Sequence, residues 1–308
     1  MKLHQLKYIH EVARQGFSVS AAAEALHTSQ PGVSKQIQLL EEELKLQIFQ
    51  RNGKRLTGIT EPGKKILKLA ASVIFELDNI KRVGDEFSKD ASGMLTIATT
   101  HTQARYKLPG AIQQFMQTYP QVKLNIHQGN PTQVTDWVAT GEADVGIATE
   151  SIGQEERLIC LPCYEWNRSV VVPKGHNLEK QLLLTLQDIA DHPLITYDFA
   201  FTGSTTVSKV FHDAGVTPNV VLTAIDADVI KTYVNLGLGI GLIANMAFDE
   251  KRDEGLVCLD CSHLFPQSTT HLGIRKDTFM RGYLYDFIGM LSPKFDRAAI
   301  DEVFKITR

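Results

Sequence analysis

The chain has 308 residues, 43% hydrophobic and 22% charged, with a formal net charge of −3. That length holds two or three domains, each able to bury a core, and the composition is ordinary for a globular protein. The near-neutral total removes any global argument for nucleic acid or a membrane surface.

The charge is unevenly placed, however. Residues 1–65 carry ten Lys/Arg against six Glu, a net +4, which leaves −7 for the remainder. A basic module on an acidic body is what separate partners for two domains would produce. The opening "MKLHQLKYIHEV" lacks the apolar core and small-residue cleavage site of a signal peptide. The longest apolar run, Leu236–Phe248, is too short and too rich in glycine to span a bilayer. The expectation is a cytoplasmic protein with no membrane partner.

Leu3, Leu6, Ile9 and Val12/Ala13 repeat at helical spacing and predict a first helix. Ser20 is expected to cap a short second helix, Ala21–His27, after which "HTSQPG" breaks the chain. Ser29 can cap a third helix with Pro31 in its first turn, where the missing N–H costs nothing. Val33, Ile37, Leu40 and Leu44 form its buried stripe. Its other face carries Gln30, Ser34, Lys35 and Gln38, which can hydrogen-bond base edges or phosphates. Two helices joined by a short turn, the second with such a face, predict a helix-turn-helix. "IFQRNGKRLTGIT" (Ile48–Thr60) then reads as two strands about an Asn52-Gly53 turn. Arg51, Lys54 and Arg55 cluster at its tip, where a wing can track a phosphate backbone.

Thr60 can cap a long helix with Pro62 in its first turn. Within it Ile66, Ala70, Val73, Leu77, Ile80, Gly84 and Phe87 fall at alternating spacings of four and three, a heptad seam for pairing with a twin. "SKDASG" (Ser88–Gly93) follows as a hinge.

From Met94 onward strands and helices alternate. The strands are "MLTIATT", "VKLNIHQG", "VGIATE", "SVVVP", "PLITY", "NVVLTA", "GLIA" and "HLGIR". A helix through Ile112, Phe115 and Met116 follows the first, "TQVTDWVATGEAD" follows the second, and others are expected around Thr205–Ala214, Ala227–Asn235 and Tyr283–Leu291. Such alternation argues for parallel α/β units, which bind ligands beyond the carboxyl ends of strands at helix N-termini. Thr99, Thr100, His101, Thr102 and Gln103 crowd one such junction, where short hydroxyls and amides supply neutral, directional donors to an anion. Thr149 ends another strand, and Thr202 precedes another helix.

Other motifs carry plainer readings. "CLPC" and "CLDC" hold the four cysteines, but neither pair sits in a zinc knuckle or opens a helix, so packed, reduced thiols are expected. "GLGIG" lies inside an apolar strand rather than opening a helix, which argues against dinucleotide binding. Asp226 and Asp228 suit an N-cap and first-turn charge. His101 has no evident nucleophile beside it, and no catalytic set, metal site or cofactor motif stands out.

"AAEALHTSQPGVSKQIQLLEEELKLQIFQR" resembles the DNA-binding signature of LysR-type transcriptional regulators and lies at the N-terminus as theirs does. Lys45 stands where that family usually carries glycine; a left-handed lysine there costs roughly 1 kcal/mol. "IATTHTQARY", "WNR", "FTG" and "DADVIKTYV" resemble the sulfur-assimilation branch of the family, the CysB and Cbl regulators, over nearly the whole chain.

The fold this implies is α/β, with an N-terminal winged helix-turn-helix (1–60) and a dimerisation linker helix and hinge (61–90). A periplasmic-binding-protein-like effector domain of two α/β subdomains (91–308) follows, divided as 91–163 with 269–308, and 164–268. The resemblance implies a regulator, an activator of sulfur-assimilation or cysteine-biosynthesis genes, and not an enzyme. Its partners would be promoter DNA, RNA polymerase, further copies of itself as dimer or tetramer, and an effector of the sulfate, thiosulfate, O-acetylserine or N-acetylserine type. DNA contacts would come from Ser29, Gln30, Pro31, Ser34, Lys35, Gln38, Arg51, Lys54 and Arg55. Effector contacts would come from Thr100, Thr102, Gln103, Thr149, Trp166 and Thr202, and dimerisation from Ile66, Val73, Leu77 and Ile80. Two rivals remain: the same scaffold sensing another small anion, and an α/β solute-binding or enzymatic protein with an adventitious basic N-terminus.

Overall fold

Helical spacing in the N-terminal quarter becomes helices α1 (Leu3–Arg14), α2 (Val19–Ala25) and α3 (Gln30–Leu44), then strands β1 (Phe49–Asn52) and β2 (Arg55–Ile59) and the long helix α4 (Glu61–Glu86). The structure, a computed structural model, describes residues 1–53, 55–87, 92–198 and 205–307. Lys54, Thr202 and most of the expected hinge at Ser88–Gly93 lie outside them. The chain divides into two units, Met1–Ser88 and Lys89–Arg308.

In the first unit Ile9, Val12, Val33, Ile37, Leu40, Ile48 and Phe49 are buried together, so the expected stripe of α3 faces the core. Leu44 packs against this core only partly buried. The second helix starts earlier than expected, and its cap is Ser18, whose hydroxyl accepts from the Ala21 N–H at 3.2 Å. Gly16 and Phe17 take positive φ (60° and 70°) to turn the chain, which leaves Ser18 as the first extended residue and draws Ser20 into the helix. Ser29 and Thr60 cap α3 and α4, accepting from the Gly32 and Gly63 N–H groups. Lys45 is left-handed at φ 54°, ψ 36°, and ends α3 where a glycine would sit without strain. The hairpin turns at Gly53 (φ 63°), and Asn52 pairs with Arg55 across it.

In the second unit the chain builds two five-stranded sheets. The first contains β3 (Gly93–Thr99), β4 (Val122–Gln128), β5 (Val145–Thr149), β6 (Leu158–Trp166) and the late strand β12 (Ser268–Arg275). The second contains β7 (Arg168–Pro173), β8 (Leu194–Tyr197), β9 (Val220–Ala224), β10 (Ile240–Ala244) and β11 (Leu256–Asp260). Their orders are β4-β3-β5-β12-β6 and β9-β8-β10-β7-β11. In each, three parallel strands are followed by two more joined through antiparallel pairings, so that only β12 and β7 run against the rest. The expectation of parallel units therefore holds for only part of each sheet: β12 and β7 return against their neighbours, which strand–helix alternation does not reveal. The apolar runs beside the cysteine pairs are β6 and β11.

Helices α5 (His101–Tyr106), α6 (Leu108–Thr118), α7 (Pro131–Thr140), α8 (Leu186–Ala190), α9 (Thr206–Asp213), α10 (Ala227–Asn235), α11 (Gly282–Leu291) and α12 (Arg297–Thr307) complete the second unit. The single helix expected after β3 is two. Pro109 in the first turn of α6 has no N–H for the Arg105 carbonyl, so one helix cannot run unbroken through it and α5 stops after six residues. Helix α7 ends before "GEAD" because Gly141 turns left-handed at φ 84°.

Both sheets are covered on two faces. Leu95, Ile97 and Phe115 pack on one side of the first sheet, and Val134, Val138 and Ala148 on the other. Val170, Leu242 and Phe211 lie on one side of the second, and Val171, Ile230 and Ile243 on the other. The chain passes between the sheets twice, at Asn167 and between β11 and β12. Asn167 ties the two crossings together, its Nδ2 donating to the Ser262 carbonyl at 3.2 Å and the Phe265 carbonyl at 3.4 Å.

Candidate functional site

The two sheets wall a cleft lined by Thr100, Thr102, Gln103, Thr149 and Trp166 from the first and Arg168, Thr196, Tyr197 and Leu242 from the second. Five of the six expected effector residues therefore line one cavity; the sixth, Thr202, is outside the described residues. Thr99 does not join them, since its hydroxyl is buried and donates to the Ile147 carbonyl at 3.0 Å.

These side chains are already connected to the protein. Gln103 donates from Nε2 to Thr270 Oγ1 at 3.3 Å and is hydrogen-bonded by the Tyr164 hydroxyl. Thr270 meets Thr149 at 3.3 Å, and Trp166 Nε1 donates to Thr149 Oγ1 at 3.2 Å. Thr102 is hydrogen-bonded to Tyr197, whose hydroxyl also accepts from the Ala244 N–H at 3.3 Å. Burial pushes the Tyr197 phenol above its ordinary value, although both of those bonds act the other way. Thr100 begins α5 without making a side-chain cap bond, and Thr149 makes none at the turn that follows it. Helix capping does not account for either hydroxyl.

The cavity also holds a charged group that the sequence reading did not include. The sequence points to neutral donors at a strand end backed by a helix terminus. Helix α5 is under two turns long, too short for much of a macrodipole. Among the described residues lining the cavity Arg168 is the one with a charge, and it is only 8% exposed. Its Nη1 donates to Ser268 Oγ at 3.0 Å, and its guanidinium lies 5.1 Å from the Trp166 ring centre. Sequence reading missed Arg168, though it closes the "WNR" motif that supplied Trp166. It also missed Tyr197 and Thr196, which lie on a strand with no distinguishing motif.

Outside the cavity, Asp226 caps α10, accepting from the Val229 N–H at 2.9 Å as expected. Asp228 does more than supply first-turn charge: it meets His101 Nε2 at 3.0 Å, Arg105 Nε at 2.9 Å and the Tyr106 hydroxyl at 2.7 Å. The cysteines are all free thiols. Burial pushes Cys160 and Cys163 up to about 11 and Cys261 up to about 12, which suits packing and not nucleophilic work.

On the first unit Gln30, Pro31, Lys35 and Gln38 are exposed along α3, with Ser29 exposed at its cap and Ser34 half-buried. Gln38 donates to Glu42 at 2.9 Å. Arg55 is exposed, but Arg51 does not stand free at the wing tip: it is bound to the buried Glu41 at 2.7 Å. The same carboxylate accepts from the Ile48 and Phe49 N–H groups at 2.8 and 3.2 Å, so Arg51 helps fasten the hairpin to α3.

The expected seam of α4 divides. Ile66 and Ala70 pack into the first unit's own core, and Leu77 is half-buried. Val73 and Ile80 are 44% and 68% exposed, and Leu69, Val83 and Phe87 extend the same stripe at 67%, 38% and 83%. The exposed apolar line is therefore rotated from the predicted one and shares Val73, Ile80 and Phe87 with it.

Comparison with known proteins agrees with both units. Residues 3–64 match the model for the bacterial regulatory helix-turn-helix protein, lysR family, and residues 88–296 match the LysR substrate binding domain. The chain belongs to the LysR family of transcriptional regulators, a family of DNA-binding proteins rather than enzymes. Among its relatives, the regulator SsuR of Burkholderia cenocepacia is 50% identical over 97% of this chain and 97% of its own. CysB of Haemophilus influenzae is 47% identical over 99% and 94%. The crystal structure of the cofactor-binding domain of the Cbl regulator superposes with a TM-score of 0.65 at 42% identity, covering 69% of this chain and 93% of that one. The helix-turn-helix match sets aside the reading of a solute-binding protein with an adventitious basic segment.

Proposed function

We propose that this regulator controls genes for sulfur assimilation or cysteine biosynthesis, as an activator, in response to a small effector held in the cleft of its second unit. The effector is an oxyanion of the sulfate or thiosulfate type, or an acetylated serine. The observation that carries this reading is the convergence of Thr100, Thr102, Gln103, Thr149 and Trp166 on one cavity where Arg168 is the one charge among the described lining residues. A guanidinium matches a sulfate or carboxylate in shape and charge, and threonine hydroxyls donate to its remaining oxygens. The relationship to CysB and Cbl regulators supports the sulfur assignment.

On this reading the first unit binds promoter DNA with α3 in the major groove and the hairpin along the backbone. The stripe Leu69–Val73–Ile80–Val83–Phe87 pairs two copies into a dimer, the basis of a tetramer, and RNA polymerase is the recruited partner. Footprinting of the full-length protein on sulfur-gene promoters, with sulfate, thiosulfate, O-acetylserine and N-acetylserine each added in turn, tests it. At least one should alter the protected length and show a calorimetric affinity. If none binds and none alters the footprint, the effector class is wrong.

A further inference from the structure

Helix α5 brings Thr102 and Gln103 to the cleft, yet with six residues it has little strength of its own. Its other side chains show what holds it. His101, Arg105 and Tyr106 all converge on one carboxylate, Asp228, which belongs to α10 in the other subdomain. His101 Nε2 and Arg105 Nε reach Oδ2 at 3.0 and 2.9 Å, and the Tyr106 hydroxyl donates to Oδ1 at 2.7 Å. The network continues behind Tyr106. Buried Lys231 donates to the Tyr106 oxygen at 3.0 Å, the Ala247 carbonyl at 2.8 Å and Asp253 at 2.8 Å. The Tyr106 ring itself packs against the second subdomain's apolar cluster around Ile195, Ile230 and Val234.

A first-turn acid needs no partner beyond its own helix. Three partners on a helix of the opposite subdomain are a different arrangement, and they fix α5 from across the cleft. Burial alone would raise the Asp228 carboxyl, but the bonds from His101 and Tyr106 and the charges of Lys231 and Arg105 hold it below the ordinary carboxylate value.

We propose that Asp228 is the positioning residue of the effector site: from the second subdomain it anchors α5, and so sets Thr100, Thr102 and Gln103 at a fixed spacing from Arg168 and Tyr197. The proposal rests on the effector reading above for its ligand and on geometry alone for its mechanics. Asp228 is not among the residues lining the cavity. It therefore acts equally on every effector, whereas a direct contact discriminates between them.

The full-length protein and its Asp228→Asn variant decide this by two measurements. Without added effector, hydrogen exchange of the Ala104–Tyr106 amides, which the helix bonds, should quicken at least about tenfold in the variant, with α6 unchanged. By calorimetry the affinities for sulfate, thiosulfate, O-acetylserine and N-acetylserine should fall by one common factor of about ten, as loss of a charge-assisted network gives. Unchanged exchange in α5, or unchanged affinity for a probe that wild type binds, overturns the proposal. So does a loss confined to one probe. Should wild type bind none of the four, the effector reading fails while the exchange measurement still decides the anchor. If Asp228→Asn does not fold, His101→Leu and Tyr106→Phe, each removing one of the bonds to Asp228, are judged by the same criteria.

Discussion

The two units keep the groups proposed to recognise DNA and effector under opposite conditions. On α3, Gln30, Lys35 and Gln38 stand exposed, and only Gln38 is shown bound to a neighbour, its own helix's Glu42. In the cleft Thr102, Gln103 and Arg168 are buried and bonded to protein partners. An exposed donor can be removed at the expense of binding alone. A buried, bonded donor serves the fold as well, and its removal leaves a partner unsatisfied. The DNA face should thus separate affinity from stability, and the cleft should not.

Arg168→Gln attacks this contrast most directly. Removing this lining charge should weaken sulfate binding by roughly 2–4 kcal/mol, some thirtyfold to several hundredfold, and lower Tm as well. Calorimetry beside thermal melts checks it, and a variant that melts early but binds sulfate as before would break the charge argument. Within the cleft, Thr102 and Thr100 sharpen the comparison. Either alanine variant should lose about 1.5–3 kcal/mol of effector affinity. Only Thr102→Ala should also destabilise the protein, because Thr102 holds Tyr197 whereas Thr100 makes no cap bond.

On the DNA face, Gln30→Ala should cost about 1–3 kcal/mol of discrimination between preferred and random sites while Tm stays put. Arg51→Ala is the exception there. It frees the buried Glu41 from its cation, so folding should weaken by about 1–3 kcal/mol before any effect on DNA is counted. Denaturant midpoints of the two variants, read beside salt-resolved DNA titrations, separate these outcomes. The smallest change expected is a gain: Lys45→Gly removes left-handed strain and should stabilise the first unit by about 1 kcal/mol. No gain in the melt would show that the lysine side chain compensates locally.

What could be read from sequence was whatever is local. Ser29 and Thr60 announced helix starts, Asn52-Gly53 announced the hairpin, and apolar spacing placed Val33, Ile37 and Leu40 inside, because each signal acts over a few residues. The threonine cluster marked a strand-to-helix junction, and Thr100, Thr102 and Gln103 of it line the cavity. Some local signals were present and misjudged: Ser18 and Ser20 competed for one cap, and Leu108-Pro109 marked the break between α5 and α6. Other features had no local signal. The antiparallel return of β12 joins segments 121 residues apart at Thr149 and Thr270, and His101 meets Asp228 over 127 residues. Arg168 lay in plain view inside "WNR", but no neighbour in the chain says that its guanidinium is buried.

Trp166 and Arg168, one on each wall of the cleft, flank Asn167, the residue that stitches the two crossings into a single joint. Two crossings bound at one point leave the sheets an axis to turn about and resist sliding. Under the proposed function a ligand would sit beside that axis, while the outer strands β4 and β9 lie far from it. On the proposed function, a turn about that axis that narrows the cleft at the tryptophan and arginine would be larger at the far edges of both sheets. The effector need not be large, nor move far, for its arrival to be felt at the rim.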